Sequence, residues 1–237
     1  MIRVLALIAL GVAVATAAPH RPLVVLDPGH GGSNPGARGA LPSLREKHFT
    51  LAIATALAER LRAHGIEVAL TRTTDRTVTL RQRIDVANRL VADRFVSIHA
   101  NASLSRTQRG YETYVLTPKG IDVDGRALRS GSTVPRPGVD LDVALVLDDV
   151  ERGAAQWEAA DLAASIQRKL RSRRGADGDR GVRQDSEHVL LGATMPAVLV
   201  EVGFIDHPIE GRELVDPIVQ AQLVDALSEA IKESLVP

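Results

Sequence analysis

The sequence contains no cysteine in 237 residues, and only 3% of its residues are aromatic. The lack of cysteine excludes disulfides and a lipid-modified cysteine anchor, so the fold must be stable by packing alone. The scarcity of aromatic residues makes a carbohydrate-binding face of stacked rings difficult to build. Basic and acidic residues balance at 29 each, which argues against a surface built for nucleic acid or anionic lipid. We therefore expect no nucleic-acid partner.

The first residues have the composition of a secretory leader. Arg3 supplies a positive start, an apolar run begins at Val4, and the small residues Ala15 and Ala17 suit a signal peptidase. We predict a signal peptide over 1–17 and an exported protein, either periplasmic or fully secreted. An uncleaved anchor is the alternative, but this run has 15 apolar or small residues, whereas about 20 span a bilayer. We expect no stable membrane anchor.

Alternating strand and helix patterns follow the leader. Six short apolar or β-branched runs have the length of strands, namely Leu23–Leu26, Ile66–Leu70, Phe95–Ile98, Tyr111–Leu116, His188–Leu191 and Ala197–Val202. Four segments have helical spacing, namely Leu44–His64, Leu80–Asp93, Val143–Arg173 and Val215–Leu235. We predict one α/β domain over 22–237, a mainly parallel, twisted sheet of about six strands with helices on both faces.

The later part of the chain carries three more specific expectations. The stretch 118–141 is rich in glycine, proline, serine and charge, which predicts a surface insertion. In the helix after it Gly153 is a candidate interruption, and the expected inward positions are Leu145, Trp157, Leu162, Ile166 and Leu170. In the last helix the expected inward positions are Ile218, Leu223, Leu227 and Ile231.

Three polar side chains stand at the ends of predicted strands. His30 follows the first strand on a glycine-rich loop, His99 ends the third, and Glu201 closes the apolar run of the last. A carboxylate in such a run is costly unless it has a partner or a task. Ligands of parallel sheets bind beyond the carboxyl ends of the strands, so these side chains converge if their strands are neighbours. Two imidazoles and a carboxylate suit a catalytic zinc ion that keeps one position for water.

Glu46 is the candidate for the third zinc ligand, and it has a competing explanation. Ser43 and Glu46 have the S-x-x-E spacing of a capping box at the start of the first helix, where an acidic residue is also stabilised by the helix dipole. Such boxes are common, so the pattern alone favours the cap. The ligand spacings carry no local zinc signature such as H-E-x-x-H.

Two residues beside the histidines are candidates for supporting roles. Asp27 lies three residues before His30 and either accepts a hydrogen bond from that imidazole, as metal-bound histidines usually require, or only terminates the strand. Asn101 lies two residues after His99 and is a candidate donor to the substrate or to its own loop.

Seven stretches occur in the order found in one enzyme family. They are "VVLDPGHGGSNPGA", "EKHFTLAIA", "LTRTTD", "LRQRIDVANRLVADRFVSIHANAS", "RGYETYVL", "DRGVRQ" and "MPAVLVEVGFIDHP". Together they resemble the zinc-dependent N-acetylmuramoyl-L-alanine amidases that hydrolyse bacterial cell walls. The resemblance covers nearly all of the chain after the leader, and although each stretch alone is weak evidence, seven in register are specific.

The resemblance implies a set of roles. His30, Glu46 and His99 correspond to the ligands of one Zn²⁺ per chain, Glu201 corresponds to the catalytic general base and acid, and the substrate is peptidoglycan. Some relatives carry a helix that covers the zinc until a partner protein displaces it, so a protein activator is a candidate partner. Here the corresponding segment, 118–153, is short and begins with a stretch rich in glycine and proline, so we expect a loop beside the cleft.

Two other functions stay open on the sequence alone. A zinc peptidase or deacetylase acting on wall components has the same kind of ligand set. A wall-binding protein with an inactive site is the second alternative, although all four proposed catalytic positions are present.

Overall fold

A computed structural model describes residues 21–117, 141–185 and 189–236 of the chain. The predicted signal peptide and all but one residue of the predicted insertion lie outside the described residues. Within the described part, no helix combines the length and apolar character needed to cross a bilayer.

Six strands form one sheet, as predicted. Their bounds are β1 Leu23–Pro28, β2 Glu67–Leu70, β3 Arg94–Asn101, β4 Tyr111–Leu116, β5 Asp179–Asp185 and β6 Ala197–Phe204. The strand order is β2-β1-β3-β6-β4-β5. All neighbouring pairs are parallel except β4 and β6, which run antiparallel. The mainly parallel α/β architecture is confirmed.

Helices connect and cover the strands. Their bounds are α1 Glu46–Ala63, α2 Leu80–Leu90, α3 Leu141–Arg174, α4 Glu210–Glu213 and α5 Pro217–Ser234. Thr79 and Gln82 form a capping box at the start of α2. Asp216 caps α5, whose first residue is Pro217, a residue already preset for a helical first turn.

The two faces of the sheet are covered unequally. The larger apolar cluster joins α1, α3 and α5 to one face through residues such as Ile53, Ile166 and Leu227. The smaller cluster joins α2 and the segment 189–195 to the other face, around Phe95. Helices on both faces are therefore confirmed, with three long helices on one side and one on the other.

One predicted strand is wrong. Residues 189–191 form a turn, and His188 lies outside the described residues. Val189 and Leu190 are buried because they cover the smaller apolar cluster, which explains an apolar run without strand pairing. The sixth strand is β5, a polar edge strand whose Val182 is 40% exposed and whose sequence lacks apolar alternation.

Three expectations about the helices are also wrong. Gly153 does not interrupt α3, which is continuous. Trp157 is 78% exposed because the buried stripe of α3 runs through Ala155, Ala159 and Leu162, which places Trp157 on the opposite face. Ile218 is 70% exposed because it lies in the first turn of α5, off the stripe of Leu223, Leu227 and Ile231. The side chain of Leu145 lies outside the described residues.

Candidate active site

The carboxyl ends of three adjacent strands bring the predicted polar side chains together. Strand β1 lies beside β3, with Pro28 opposite Ile98, and β3 lies beside β6, with His99 opposite Glu201. His30 follows β1 after a single glycine, so all three side chains reach the same edge of the sheet.

His30, Glu46 and His99 form one cluster whose ligand atoms lie within 4.8 Å of one another. The Nε2 atom of His30 is 3.0 Å from Oε2 of Glu46, and Nδ1 of His99 is 2.9 Å from Oε1 of the same carboxylate. The two imidazoles meet edge to face, with ring centroids 4.8 Å apart. Glu46 is 4% exposed, so this carboxylate is held inside the protein by the two rings.

The chemistry of this donor set fits zinc. Ligand atoms about 2.1 Å from a tetrahedrally coordinated ion are roughly 3.4 Å apart. The separations of 2.9 and 3.0 Å between the carboxylate and the two imidazoles are about half an ångström shorter than that value. Two imidazole nitrogens and one carboxylate oxygen are a typical donor set of catalytic zinc sites, which keep a fourth position open.

Glu46 does not form the capping box that its spacing suggested. The N-cap of α1 is Arg45, and no side chain caps this helix end. The Glu46 carboxylate instead accepts hydrogen bonds from the backbone N–H groups of Ala37 at 2.8 Å and Ala100 at 3.1 Å. These two bonds orient the carboxylate toward His30 and His99, which a surface cap would not do.

The electrostatics of the cluster follow from its geometry. Burial opposes ionisation of Glu46, but the hydrogen bonds from His30 and His99 dominate and hold its pKa well below the ordinary value. Burial likewise opposes the charged form of His30, yet its contact with Glu46 raises the pKa of that imidazole. The carboxylate is therefore ionised at neutral pH, as a metal ligand must be.

Close backbone approach makes this cluster possible. A Cβ on Gly29 would lie inside the imidazole of His99, and one on Gly36 would lie 2.6 Å from Oε2 of Glu46. His30 itself has a positive φ of 60°, an uncommon conformation for a residue with a side chain. The glycines are therefore a packing requirement of the two-histidine arrangement, and His30 occupies a strained position of the kind found at functional sites.

Asn34 takes the supporting role that was considered for Asp27. Its Oδ1 is 3.0 Å from Nδ1 of His30, which leaves Nε2 of the ring facing Glu46. A tight turn, closed by two backbone hydrogen bonds between Gly31 and Asn34, brings this amide back to the ring. Sequence reasoning missed Asn34, and the only available signal was the glycine-rich stretch that makes the turn.

Asp27 is fully buried and supports the site indirectly. Its carboxylate accepts hydrogen bonds from Thr71, from Ser97 at 2.8 Å and from Arg83 at 2.6 Å, and it does not contact the His30 ring. Strand β1 continues past it to Pro28. Asp27 therefore neither orients the imidazole directly nor ends the strand.

Two buried arginines hold the backbone of the His30 loop. Arg83 donates to the carbonyl oxygens of Pro28 at 2.8 Å and of His30 at 2.6 Å. Arg72 donates to Pro28 at 3.0 Å, and also to the carbonyls of Gly29 and Lys47, both at 2.8 Å. Because Lys47 follows Glu46, Arg72 joins the two segments that carry the first two members of the cluster.

Glu201 lies beside the cluster in an unusual environment. The residue keeps some exposed surface, but its Oε2 atom is inaccessible and has no hydrogen-bond partner in the described part of the chain. Burial, followed by the negative charges of Glu46 and Glu112, raises the pKa of Glu201 well above its ordinary value. Glu201 also lines the cavity of the site, where a carboxyl group is within reach of a bound molecule and can exchange a proton with it.

The three clustered side chains and Glu201 line one cavity of about 410 Å³. Its lining includes His30, Glu46, His99, Glu201, Asn101 and Tyr114, together with Leu199 and three alanines. Asn101 donates to Glu112 at 2.8 Å, a residue that sequence reasoning did not single out. The volume is in the range of sites for small molecules or short segments of a polymer.

Comparison with known proteins identifies the family. The family model described as N-acetylmuramoyl-L-alanine amidase matches residues 24–233. The chain is 32% identical over 217 residues to N-acetylmuramoyl-L-alanine amidase AmiA of Escherichia coli strain K12, covering 88% of this chain and 74% of AmiA.

Solved structures agree with this match. The catalytic domain of CwlV, an N-acetylmuramoyl-L-alanine amidase from Bacillus (Paenibacillus) polymyxa var. colistinus, is 31% identical with a TM-score of 0.69, over 90% of this chain and 98% of that domain. The N-acetylmuramoyl-L-alanine amidase from Clostridium difficile 630 is 28% identical with a TM-score of 0.71, over 91% of this chain and 97% of that one. The chain therefore belongs to the N-acetylmuramoyl-L-alanine amidase family and is an enzyme of that class.

Proposed function

We propose that His30, Glu46 and His99 bind one zinc ion per chain, and that the enzyme hydrolyses the amide between N-acetylmuramic acid and L-alanine in peptidoglycan. The observation that carries this proposal is the convergence of the two imidazoles, the Glu46 carboxylate and Glu201 on one cavity. The amidases that the chain resembles support the choice of bond.

A bound zinc ion supplies Lewis acidity to the amide carbonyl and lowers the pKa of water. Glu201 accepts the proton of the attacking water as the water oxygen bonds to the carbonyl carbon of the muramoyl group. It then gives this proton to the alanine nitrogen as the carbon–nitrogen bond breaks, so the products are a carboxylic acid and a free amine. Glu201 suits this exchange because it lines the cavity beside the proposed zinc ligands, and no hydrogen bond within the described residues ties up its Oε2 atom.

The remaining residues of the site preorganise this chemistry. Asn34 fixes the ring of His30, the N–H groups of Ala37 and Ala100 fix Glu46, and Arg72 and Arg83 fix the backbone between the first strand and its loop. Groups held in this way need little rearrangement during the reaction, which is the main contribution of a preorganised site.

The other two candidate functions find less support. An inactive wall-binding protein has no use for a buried, unpartnered carboxylate beside a complete set of metal ligands, since such a group costs stability. A zinc deacetylase or peptidase would use the same groups, and only the identity of the cleaved bond separates it from the amidase.

We also propose that the protein is exported and that residues 1–17 are removed, because its proposed substrate lies outside the cytoplasmic membrane. The amino-terminal sequence of the protein recovered from outside the cytoplasm tests this point. A start at Ala18 supports it, and a start at Met1 contradicts it. A protein activator remains a prediction, since most of the segment concerned lies outside the described residues.

The direct test of the activity uses purified peptidoglycan. The protein is incubated with it in the presence of zinc, with a chelator, and with the chelator followed by excess zinc, and the new ends are identified by mass spectrometry. We expect peptides with a new L-alanine amino terminus, loss of activity with the chelator and recovery with zinc. Release of acetate, or cleavage between amino acids only, would show a different hydrolase.

A further inference from the structure

Glu112 is a buried carboxylate that stands opposite Glu201. The antiparallel pairing of β4 and β6 puts Glu112 in register with Glu201, and Tyr114 in register with Leu199. Residues directly opposite in an antiparallel pair project to the same face of the sheet. Glu112 and Tyr114 are therefore on the face of the catalytic cavity, whereas Tyr111 projects to the other face, where its hydroxyl donates to Gly175.

Four donors surround Glu112, and they divide between its two oxygens. Oε1 accepts hydrogen bonds from the amide of Asn101 at 2.8 Å and from the hydroxyl of Tyr114 at 3.1 Å. Oε2 accepts from Arg180 at 3.0 Å and forms an ion pair with Arg183 at 3.4 Å. Glu112 is only 3% exposed, so its charge is balanced inside the protein by these two guanidinium groups.

An ionised carboxylate can only accept hydrogen bonds, and this fixes the polarity of its two neighbours in the cavity. Tyr114 has one hydroxyl proton and gives it to Glu112, so its oxygen can act only as an acceptor toward any other group. Burial and the nearby charge of Glu112 raise the pKa of Tyr114 to about 12, which keeps the phenol protonated at neutral pH.

Asn101 presents the opposite polarity. Its Oδ1 accepts from the backbone N–H of Ala102 at 2.8 Å, and one amide hydrogen goes to Glu112. The second amide hydrogen has no partner in the part of the chain that the structure describes. Asn101 and Tyr114 both line the cavity with Glu201, so this wall offers one donor and one acceptor close to the proposed proton carrier.

A peptide group has the complementary pair, an N–H donor and a carbonyl acceptor. We infer that Tyr114 and Asn101 form a subsite for the stem peptide beside the cleaved bond, and that Glu112 is the positioning residue that sets their polarity. The inference rests on the proposed function, because it takes the bond cleaved beside Glu201 to be the muramoyl-L-alanine amide. In this subsite Tyr114 accepts from the N–H that follows the L-alanine, and Asn101 donates to a carbonyl oxygen elsewhere on the substrate, because both side chains bond to one oxygen of Glu112 and lie too close together to hold the two ends of a single peptide group.

Two small substrates isolate this contact. N-acetylmuramoyl-L-alanine N-methylamide has the N–H that Tyr114 is proposed to accept, whereas the corresponding methyl ester lacks it and keeps the carbonyl. With the zinc-loaded protein we expect kcat/KM for the methylamide to exceed that for the ester by roughly two- to twelve-fold, the range for one hydrogen bond. The two kcat/KM values are measured on the same preparation of each variant and divided, so a smaller fraction of folded protein lowers both values equally and leaves their ratio unchanged.

Tyr114→Phe should bring this ratio close to one by slowing cleavage of the methylamide alone. Glu112→Gln should lower the ratio without changing the zinc content, because a glutamine no longer dictates which way the Tyr114 hydroxyl points. Asn101→Ala should slow both substrates, since both retain the carbonyl. Tyr111→Phe removes a hydroxyl from the opposite face of the same strand and should leave the ratio at its wild-type value.

The inference is overturned if the wild-type enzyme cleaves both compounds equally, or if Tyr114→Phe keeps the wild-type ratio. In either case the amidase activity itself is still demonstrated. If the wild-type protein releases no L-alanine derivative from either compound or from peptidoglycan, the proposed function fails, and the subsite fails with it.

Discussion

The substitution Arg83→Met tests the buried support of the His30 loop. It keeps most of the volume of the side-chain stem and removes a guanidinium that donates to Asp27, to the carbonyl of Pro28 and to the carbonyl of His30. Asp27 is fully buried, and the side chain of Arg83 is 5% exposed, so solvent cannot replace the lost charge without entering the protein.

The expected loss of stability follows from this burial. Removing one partner of a buried ion pair costs about 3–5 kcal/mol, because the other charge is left without compensation. Asp27 keeps the hydroxyl donors Thr71 and Ser97, which places the expected loss near the lower end, at about 3 kcal/mol. The double substitution Asp27→Ala with Arg83→Met should cost less than the sum of the two single changes, because neither charge is then stranded.

Urea unfolding at neutral pH measures this loss as a shift of the midpoint at constant slope. Arg81→Met is the matched control, since Arg81 is 75% exposed and pairs with Asp85 one helical turn away. Such a surface pair is worth about 0.3–0.5 kcal/mol. A loss below about 1 kcal/mol for Arg83→Met, with an unchanged slope, would refute the claim that this pair supports the loop.

Three further predictions concern the site and its loop. Glu201→Gln should keep zinc binding and lower kcat by roughly 10²- to 10⁴-fold. The control Glu59→Gln changes an exposed carboxylate and should leave kcat unchanged. Normal turnover in Glu201→Gln would remove Glu201 from the mechanism. Gly29→Ala should weaken zinc binding roughly ten- to hundred-fold, because the new methyl group pushes His99 aside. Gly153→Ala is the control, since a Cβ at Gly153 meets no atom within 4 Å, and it should leave zinc binding unchanged. Equal zinc affinities of the two variants, measured by chelator competition, would contradict this prediction. The hydrogen bond from Lys47 and the N–H of Gly32 lower the pKa of Asp75 to about 2, so the stabilisation it provides is present above pH of about 4 and is lost between about 4 and 2. Asp75→Asn should therefore lower the melting temperature at pH 7 but have little effect at pH 2, and a difference that is the same at both pH values would exclude this linkage.

The sequence allowed the sheet and its functional edge to be predicted because both depend on short-range patterns. Apolar runs of strand length identified five of the six strands, and the polar residues that follow those runs identified His30, His99 and Glu201. The missed strand, β5, lies at the edge of the sheet and pairs only with β4. Its side chains are largely exposed, so its sequence has no apolar alternation for a pattern to detect.

The supporting residues of the site depend on contacts that spacing does not encode. Asn34 reaches His30 through a tight turn, and Glu112 reaches Glu201 through the antiparallel pairing of β4, the one reversal in the sheet. The pattern at Glu46 favoured a cap over a ligand, and the packing of α1 against the loop after β1 shows that its carboxylate faces the two histidines. The sequence resemblance reached that assignment, whereas local pattern did not.

The zinc content of the purified enzyme, measured by elemental analysis beside its activity on peptidoglycan, tests the central claim most directly. We predict one zinc ion per chain in the active wild-type protein, and loss of both zinc and activity in His99→Ala, with a normal zinc content in the exposed-site control His64→Ala. Metal-free wild-type protein with full activity would contradict the claim that His30, Glu46 and His99 hold a catalytic metal.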